Sequence, residues 1–336
     1  MNKRERFEAF LNNQPVDRVP VGFWHHFVSF HDHYGYAEPE IYSAVVSGQK
    51  KYIDEVDPDF LKIMSDAFFG HPSVCRKLLT TVDDIAGIRS VGPDHEWIDR
   101  QIDYVKDICA HAGKSVYKLY NIFSPLQYIR LRFEEYDEDY KKFTRLFREN
   151  PEVMAKAGWE IAKDIRVLVE RLFAETDIDG IYYSVQSVQD PTFDHDMHRK
   201  YVEPLDLDIM KVMNQHSHTN MIHICGYHGL YTNDLTWYKD YPAQIFNWAV
   251  HSEHVSLSEG KKLFGGKPVL GGFDNTPGTL LYSGSDEEIR KEVLSILEDA
   301  GTVGVGIGSD CTVDMDLPVS RMEFIRNVAE EDGQGR

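Results

Sequence analysis

The amino-acid sequence predicts an α/β fold: a single (β/α)8 barrel with an N-terminal helix and an insertion after the third strand. Eight short β-rich runs recur along the 336 residues, and amphipathic segments with apolar positions three and four residues apart lie between them. Strict alternation of strand and helix is typical of a parallel sheet, and eight repeats are typical of a closed barrel. Barrels of this length routinely form one domain, so we expect residues 1–336 to be one domain.

The predicted strands are short runs rich in β-branched and aromatic residues. In chain order they are Arg18–Trp24, Phe60–Ser65, Val116–Asn121, Gly180–Val185, Met221–Cys225, Gln244–Val250, Pro268–Phe273 and Thr302–Gly308. Helical periodicity predicts an N-terminal helix around Lys3–Asn12 and longer helices at Pro151–Phe173, His195–Ser217 and Asp286–Asp299. The charged and aromatic region Ser124–Asn150 follows the third strand and is interpreted as an insertion, such as a lid.

The composition limits the functional class. A formal net charge of −19 argues against binding to nucleic acid or to an anionic membrane surface. The N-terminus lacks the apolar stretch of a signal peptide, and no apolar run approaches the roughly 18 residues of a membrane span. Four cysteines in a chain of this length do not make a disulfide framework. We therefore expect a protein of the reducing cytoplasm.

His223, Cys225 and Cys311 are the strongest chemical signal. Ile224 separates the first two, so on a strand both side chains point to the same side of the sheet. Cys311 follows the last predicted strand. If both strands belong to one barrel, an imidazole and two thiolates meet at its mouth, which is the Cys2His ligand set of catalytic zinc sites with an open fourth position. The alternative is a core histidine with two buried cysteines, which are common in protein interiors.

A parallel barrel carries its catalytic groups at the carboxyl ends of its strands. We expect substrate contacts from the residues at those ends, namely Trp24, Asn121, Tyr183, Gln186, Asn247 and Asp274. Asp66 and His25 are the candidates for proton transfer or for hydrogen bonding to the substrate. On an extended chain only one of His25 and His26 faces the mouth, and Asp274 fits a helix N-cap equally well.

Several short motifs are spread over the whole chain. They are Asp17-Arg18-Val19-Pro20-Val21, Ser65-Asp66-Ala67-Phe68, Tyr201-Val202-Glu203-Pro204, His223-Ile224-Cys225-Gly226 and Gly271-Gly272-Phe273-Asp274-Asn275. Together they resemble the uroporphyrinogen decarboxylase superfamily essentially end to end, which implies a (β/α)8 barrel. The decarboxylases of that superfamily carry paired arginines soon after the first strand, to bind acidic porphyrinogen side chains. This chain has no arginine between Arg18 and Arg76.

The zinc methyltransferase branch of the superfamily carries His-x-Cys after the fifth strand and a cysteine after the eighth. His223, Cys225 and Cys311 match that pattern position by position. The resemblance implies zinc at these residues and transfer of a methyl group from a methyl-corrinoid, carried by a separate small protein, to a thiol or similar small-molecule acceptor. Branch members usually have an acidic residue where this chain has Asn247.

Two other functions stay open at this point. A carboxy-lyase of the decarboxylase type would use Asp66 as its central carboxylate, although it would lack the paired arginines. A non-catalytic barrel that binds a corrinoid or a metal would hold the ligand without turnover. A metal assay separates the lyase from the other two functions, and a methyl-transfer assay separates the methyltransferase from the binding protein. Both a monomer and a homodimer are compatible with the sequence.

Overall fold

The computed structural model describes residues 1–137, 140–186, 193–226 and 232–335. In these residues eight parallel strands form one sheet in the order β1-β8-β7-β6-β5-β4-β3-β2. The strands are β1 (Val21–Gly22), β2 (Phe60–Ile63), β3 (Tyr117–Phe123), β4 (Gly180–Val185), β5 (Met221–Ile224), β6 (Ile245–Trp248), β7 (Val269–Phe273) and β8 (Val305–Ser309). The sheet curls into a nearly closed barrel, which confirms the predicted fold class.

Helices connect the strands and cover the outside of the barrel. They are α1 (Lys3–Leu11), α2 (Pro39–Val56), α3 (Pro72–Cys75), α4 (Val82–Ala86), α5 (Glu96–Ala112), α6 (Pro125–Asp137), α7 (Tyr140–Glu149), α8 (Pro151–Glu175), α9 (His195–Met197), α10 (Glu203–His216), α11 (Val250–Glu253), α12 (Leu257–Leu263), α13 (Leu280–Ser283), α14 (Asp286–Ala300) and α15 (Val319–Gly335). Three helices lie between β3 and β4, so the predicted insertion corresponds to α6 and α7.

Two predicted elements differ in detail. The helix predicted at His195–Ser217 is divided into α9, a π-helical segment at His198–Val202, and α10. The strand predicted at Arg18–Trp24 is reduced to the two residues of β1, which pair with β8. Beyond β1 the chain stays beside the end of β8, because the backbone N–H of Val313 donates a hydrogen bond to the Trp24 carbonyl (2.9 Å). This contact holds the following histidines at the barrel mouth.

The two-residue period of the strands decides which side chains fill the barrel. The interior carries one buried apolar cluster, formed by Trp24, Phe60, Met64, Tyr117, Leu119, Tyr182, Met221, Ile245 and Leu270 together with Phe7 and Phe10 of α1. The Phe7 ring lies 5.1 Å from the Phe60 ring and 4.8 Å from the Tyr117 ring. Helix α1 therefore closes the amino-terminal end of the barrel, and the opposite end stays open.

The outer helices are amphipathic. Helix α8 has 25 residues and buries Ile161, Ile165 and Leu168 against the barrel, while Lys156 and Lys163 face solvent. Such a charged outer face is typical of a helix that packs on a globular core. Across the described parts of the chain, every helix is too short or too polar to span a lipid bilayer.

Asp59 joins the two strands at the seam of the barrel. Within the described residues no hydrogen-bonded ladder links β1 to β2. Asp59, which precedes β2 and is 1% exposed, accepts hydrogen bonds from Arg6 Nη1 (2.9 Å) and from Arg18 Nη1 and Nη2 (2.6 and 2.9 Å). It also accepts one from the backbone N–H of Val21 in β1 (2.9 Å). The carboxylate therefore ties α1, β1 and β2 together where the ladder is missing.

The substitution Asp59→Asn should destabilise the protein by about 3 kcal/mol, because it removes the carboxylate that pairs with the buried guanidinium of Arg18 and one of the two carboxylates that pair with Arg6, the other being Asp17. The free energy of unfolding, measured by urea denaturation, checks this prediction. Asp57→Asn is the matched control: Asp57 is exposed and pairs only with Lys3 at the surface, so its loss should change stability by less than about 1 kcal/mol. Equal effects of the two substitutions would contradict the role given to Asp59.

Candidate metal centre

His223, Cys225 and Cys311 meet at the open end of the barrel. His223 lies in β5 and Cys225 follows that strand directly, whereas Cys311 lies two residues after β8. His223 and Cys225 are 2% and 7% exposed, and both point into the barrel as their i, i+2 spacing predicts. The three ligand atoms lie within 4.8 Å of one another. The barrel thus brings together side chains that are 86 and 88 positions apart.

The distances between these atoms fit a tetrahedral zinc ion. The Sγ atoms of Cys225 and Cys311 are 3.9 Å apart, and Cys311 Sγ lies 3.5 Å from His223 Nε2. Zinc–sulfur bonds of ~2.3 Å and zinc–nitrogen bonds of ~2.0 Å at tetrahedral angles separate the ligand atoms by about 3.8 Å (S···S) and about 3.5 Å (S···N). These two distances agree with a Cys2His zinc site, the third pair of ligand atoms lies within 4.8 Å, and the cavity beside them leaves room for a fourth ligand.

Asn247 in β6 orients the imidazole of His223. Its Oδ1 atom lies in hydrogen-bond contact with His223 Nδ1 and also accepts a hydrogen bond from the Tyr182 hydroxyl (2.9 Å). Its Nδ2 atom donates to the carbonyl oxygens of Leu270 and Ser309 (2.8 and 3.3 Å), which fixes Oδ1 toward the histidine. Since an amide oxygen only accepts, the proton of the neutral ring is on Nδ1, and the Nε2 lone pair is free to bind a metal.

The surroundings of Cys311 favour its thiolate. The hydrogen bond with Cys225 lowers the pKa of Cys311 well below its usual range, against the effect of burial, and the nearby ammonium of Lys62 lowers it further. A thiolate is the form that binds zinc. The electrostatics of the site therefore agree with its geometry.

Lys62 of β2 is a buried cation in the same cavity. Its side chain is 5% exposed, and its Nζ atom lies 4.0 Å from the centre of the Tyr182 ring and 5.0 Å from that of Trp24. Burial lowers the pKa of Lys62 to about 8, against the raising effect of Cys311 and Asp66. Among the described residues it forms no ion pair and no hydrogen bond. The positive charge of this ammonium stabilises the thiolate of Cys311.

A second polar cluster lines the cavity across from the cysteines. The Nδ1 atom of His26 lies 2.9 Å from Asp66 Oδ1, and the backbone N–H of Phe27 donates to Asp66 Oδ2 (2.7 Å). The His33 ring lies 4.3 Å from the His26 ring, with Nε2 4.0 Å from Asp66 Oδ2. Burial lowers the pKa of His33 to about 4. Although burial alone would raise it, the neighbouring His26 and His33 lower the pKa of Asp66 to about 2, so the carboxylate is ionised.

Some residues predicted at the site do lie there. Asn121 and Gln186 line the cavity, and Asn121 Nδ2 donates a hydrogen bond to Ser65 Oγ (2.6 Å). Asn247 lies behind His223 rather than on the cavity wall. Trp24 lies deeper in the barrel, with its ring 5.3 Å from that of Tyr182. Asp66 is fully buried and reaches the cavity through its contact with His26.

Three of the predicted positions need correction. Tyr183 points out of the barrel and donates a hydrogen bond to Asp206 of α10 (3.0 Å), whereas its neighbour Tyr182 points in. The His25 ring packs against Tyr52 and its Nδ1 atom contacts the His26 carbonyl (2.9 Å), so His26 faces the cavity in its place.

Asp274 is the third. Its Oδ1 atom accepts a hydrogen bond from the backbone N–H of Thr276 (2.8 Å), which is a local turn contact, while Asn275 and Thr276 line the outer mouth. Its side chain therefore supports the alternative weighed from the sequence, a capping role at the end of a strand.

The sequence prediction missed Lys62 and His33, and of the adjacent pair it chose His25 where His26 lines the cavity. The sequence contains a signal for Lys62. In the apolar run Phe60–Met64, Lys62 lies two residues from Phe60 and two from Met64, so on a strand all three side chains point to the same face. A strand that carried the lysine on its outer face would have placed Phe60 and Met64 outside as well. His33 lies in an irregular segment with a 3₁₀ turn, Phe30–Tyr34, where no period applies.

Comparisons with known proteins agree with this architecture. A profile of the Uroporphyrinogen decarboxylase (URO-D) family matches residues 69–331. A solved methyltransferase from Methanosarcina mazei superposes with a TM-score of 0.69 at 16% identity, over 99% of each chain. A B12-independent methionine synthase from Shewanella sp., in complex with selenomethionine, gives 0.55 at 14% identity, over 96% of this chain and 95% of that one.

A putative vitamin-B12 independent methionine synthase from Listeria monocytogenes gives a TM-score of 0.53 at 11% identity, over 95% of this chain and 98% of that one. At these identities the three structures show a shared barrel fold. No curated protein gives a sequence match to this chain.

The substitution Lys62→Met should stabilise the metal-free protein at pH 7 by about 2 kcal/mol. The pKa of Lys62 falls from 10.5 to about 8 on folding, so below pH 8 the charged lysine opposes folding by on the order of 3 kcal/mol. The methionine variant removes this cost but also loses the cation–π contact with Tyr182, which is worth about 1 kcal/mol. The gain should shrink as the pH rises toward 10.5, where the lysine is neutral in both states. Urea unfolding at pH 7 and pH 9.5 measures the difference.

Lys118→Met is the control, because Lys118 is equally buried but donates a hydrogen bond to the Gly113 carbonyl (2.9 Å). That variant should be less stable than the wild type at both pH values. If Lys62→Met were less stable than the wild type at pH 7, the conclusion that the charged Lys62 opposes folding would be wrong.

Proposed function

The chain belongs to the uroporphyrinogen decarboxylase (URO-D) family, and within that family we propose that it is a zinc-dependent methyltransferase. The methyl donor is a methyl-corrinoid on a separate carrier protein, and the acceptor is a small molecule with a thiol or another soft nucleophile. The observation that carries the proposal is the convergence of three ligand atoms within 4.8 Å, with 3.9 Å between the thiols and 3.5 Å from the Cys311 thiol to the imidazole. These two distances agree with those of a tetrahedral zinc site.

Zinc, when bound here, lowers the pKa of a coordinated acceptor thiol so that it reacts as a thiolate at neutral pH. The chain itself supplies the rest of the environment. His223, held by Asn247, presents one neutral nitrogen, and the two cysteines present sulfur donors. Two thiolate ligands donate more charge than histidines or carboxylates do, which keeps a bound sulfur nucleophilic. A hydrolytic site would be served better by histidine and carboxylate ligands, which acidify water.

Lys62 complements this charge. A neutral imidazole and two thiolates balance the two charges of a zinc ion, so an anionic acceptor leaves the site with a net negative charge. The ammonium of Lys62 lines the same cavity and forms no ion pair with a described carboxylate. Lys62 therefore stabilises the anionic form of a bound acceptor. Asn121 and Gln186 on the cavity wall are the proposed hydrogen-bonding partners of the substrate.

The site is open to a large donor. Cys311 and Thr312 line both the inner cavity and a second, wider cavity at the surface, whose rim includes Ser252, Asn275 and Asp314. A methyl group on a bulky cofactor can therefore approach Cys311 from outside while the acceptor occupies the inner cavity. The fold likeness to the methyltransferase from Methanosarcina mazei is compatible with this arrangement.

The decarboxylase alternative has less support. Among the described residues that line the inner cavity, Lys62 is the one lysine or arginine, so a substrate with several carboxylates lacks bidentate partners. Both oxygens of Asp66 are engaged, one by His26 and the other by the backbone of Phe27. A carboxylate that must bind several pyrrole nitrogens would instead be free at the cavity surface.

The short distance between the thiols of Cys225 and Cys311 also indicates the redox state of the compartment in which the protein works. Two thiols 3.9 Å apart are close enough to oxidise to a disulfide after a small movement. A zinc-binding role requires both as thiolates, so we place the protein in a reducing compartment such as the cytoplasm.

Cys225→Ser and Cys311→Ser should each lose zinc and methyl transfer while the barrel stays folded. Zinc content by elemental analysis should fall from about one ion per chain to under about a tenth. Methyl transfer, followed by the cobalt spectrum of methylcobalamin with a thiol panel, should fall at least 100-fold. Cys75→Ser is the control, because Cys75 in α3 lies away from the cavity. Full zinc retention in both cysteine variants would overturn the proposal.

Asn247→Leu should weaken zinc binding by about 10- to 100-fold, because the His223 ring loses the acceptor that fixes its tautomer. Asn247→Asp restores an acceptor at the same place and should bind zinc nearly as well as the wild type. Competition with a chelator measures both dissociation constants. If the leucine variant bound zinc with unchanged affinity, Asn247 would have no orienting role.

A further inference from the structure

We propose that His26, His33 and Asp66 form a second metal site, which takes a divalent first-row transition ion and is distinct from the site of His223, Cys225 and Cys311. The inference is independent of the proposed methyl transfer. His26 and His33 line the same cavity as the two cysteines. One ligand atom from each of the three residues lies within 4.8 Å of the others. The barrel mouth therefore holds two separate ligand sets.

The distances need only a small adjustment around an ion. His26 Nδ1 lies 2.9 Å from Asp66 Oδ1, and His33 Nε2 lies 4.0 Å from Asp66 Oδ2. Ligands at ~2.1 Å from an ion lie about 3.0 to 3.5 Å apart in octahedral or tetrahedral geometry. The observed values bracket this range. An ion between the two imidazoles and the carboxylate replaces the proton that the His26–Asp66 hydrogen bond now holds.

His33 is the residue that packing alone does not explain. It is 2% exposed, and among the described residues neither of its ring nitrogens makes a hydrogen bond of good geometry, although the Val28 backbone lies close to the ring. Its ring lies 4.3 Å from the His26 ring and 4.4 Å from the Phe69 ring, contacts that a phenylalanine would make without burying two polar atoms. Burying an unpaired polar group is unfavourable by roughly 1–3 kcal/mol. A metal bond to Nε2 removes the part of this cost that belongs to Nε2.

The donor set indicates the kind of ion. Two imidazoles and one carboxylate, with open positions, are the ligands of non-haem Fe(II) sites and of catalytic zinc sites without sulfur. Asp66 is oriented for this role, since the backbone N–H of Phe27 holds its Oδ2 atom (2.7 Å). Such a hydrogen bond to a ligating carboxylate is common around metal sites. Since His26 and His33 line the shared cavity, a substrate with an oxygen or nitrogen donor could reach an ion that they hold.

Metal binding to the Cys225→Ser/Cys311→Ser double variant tests the proposal, because the thiol site is then absent. Co(II) is titrated anaerobically into this protein and followed by its visible spectrum and by equilibrium dialysis. We expect one Co(II) per chain, with ligand-field bands but without sulfur-to-cobalt charge transfer. His33→Phe in the same background keeps the ring packing and should weaken the binding at least 10-fold. The exposed His31 is the matched control, and His31→Gln should leave the binding unchanged.

Two results would overturn the proposal. The first is a double variant that is folded by circular dichroism and takes up no Co(II). The second is Co(II) binding by His33→Phe and by Asp66→Asn that is as tight as in their parent, which would assign the ion to histidines elsewhere. Neither result touches the zinc site, whose own test uses proteins in which His26, His33 and Asp66 are intact. The two proposals can therefore fail separately.

Discussion

The close approach of Cys225 to Cys311 depends on one constraint. In a closed barrel of parallel strands, every second side chain of a strand points into the interior. Residues at i and i+2 of β5 share the interior face, so His223 and Cys225 point the same way, and closure of the sheet places the end of β8 within reach. The hydrogen bond from Val313 to Trp24 extends this order beyond the strands and positions His26. His223, Cys225 and Cys311 are therefore positioned by strand ends, and His26 is positioned by a contact with the segment that follows β8.

The two ends of the barrel serve different purposes. At the amino-terminal end α1 fills the interior with aromatic rings, and Asp59 pairs with Arg6 and Arg18 at the seam, so this end supplies stability. At the carboxyl end the cavity is lined by Lys62, which pairs with no described carboxylate, by two thiols and by the buried ring of His33. Such groups oppose folding when no ligand is bound. This division between a stabilising face and a reactive face is common in (β/α)8 barrels.

The sequence predicted the fold and the convergence of His223, Cys225 and Cys311, because both follow from strand periodicity. It placed Tyr183 at the site wrongly, since a strand with aromatic residues at successive positions leaves its phase undetermined and Tyr182 is the inward residue. It chose His25 over His26 because β1 ends at Gly22, after which alternation no longer applies. Asp66, by contrast, was found from the sequence, but its partners come from a loop that no local pattern predicts.

X-ray absorption at the zinc edge, on protein loaded with one equivalent of zinc, tests the central claim most directly. The account predicts two sulfur neighbours at ~2.3 Å and one imidazole nitrogen at ~2.0 Å, with one further light atom, because Cys225, Cys311 and His223 form a set of tetrahedral spacing. The sulfur count should fall to one in Cys311→Ser. A zinc ion surrounded by nitrogen and oxygen alone, in protein whose cysteines are reduced, would contradict the account.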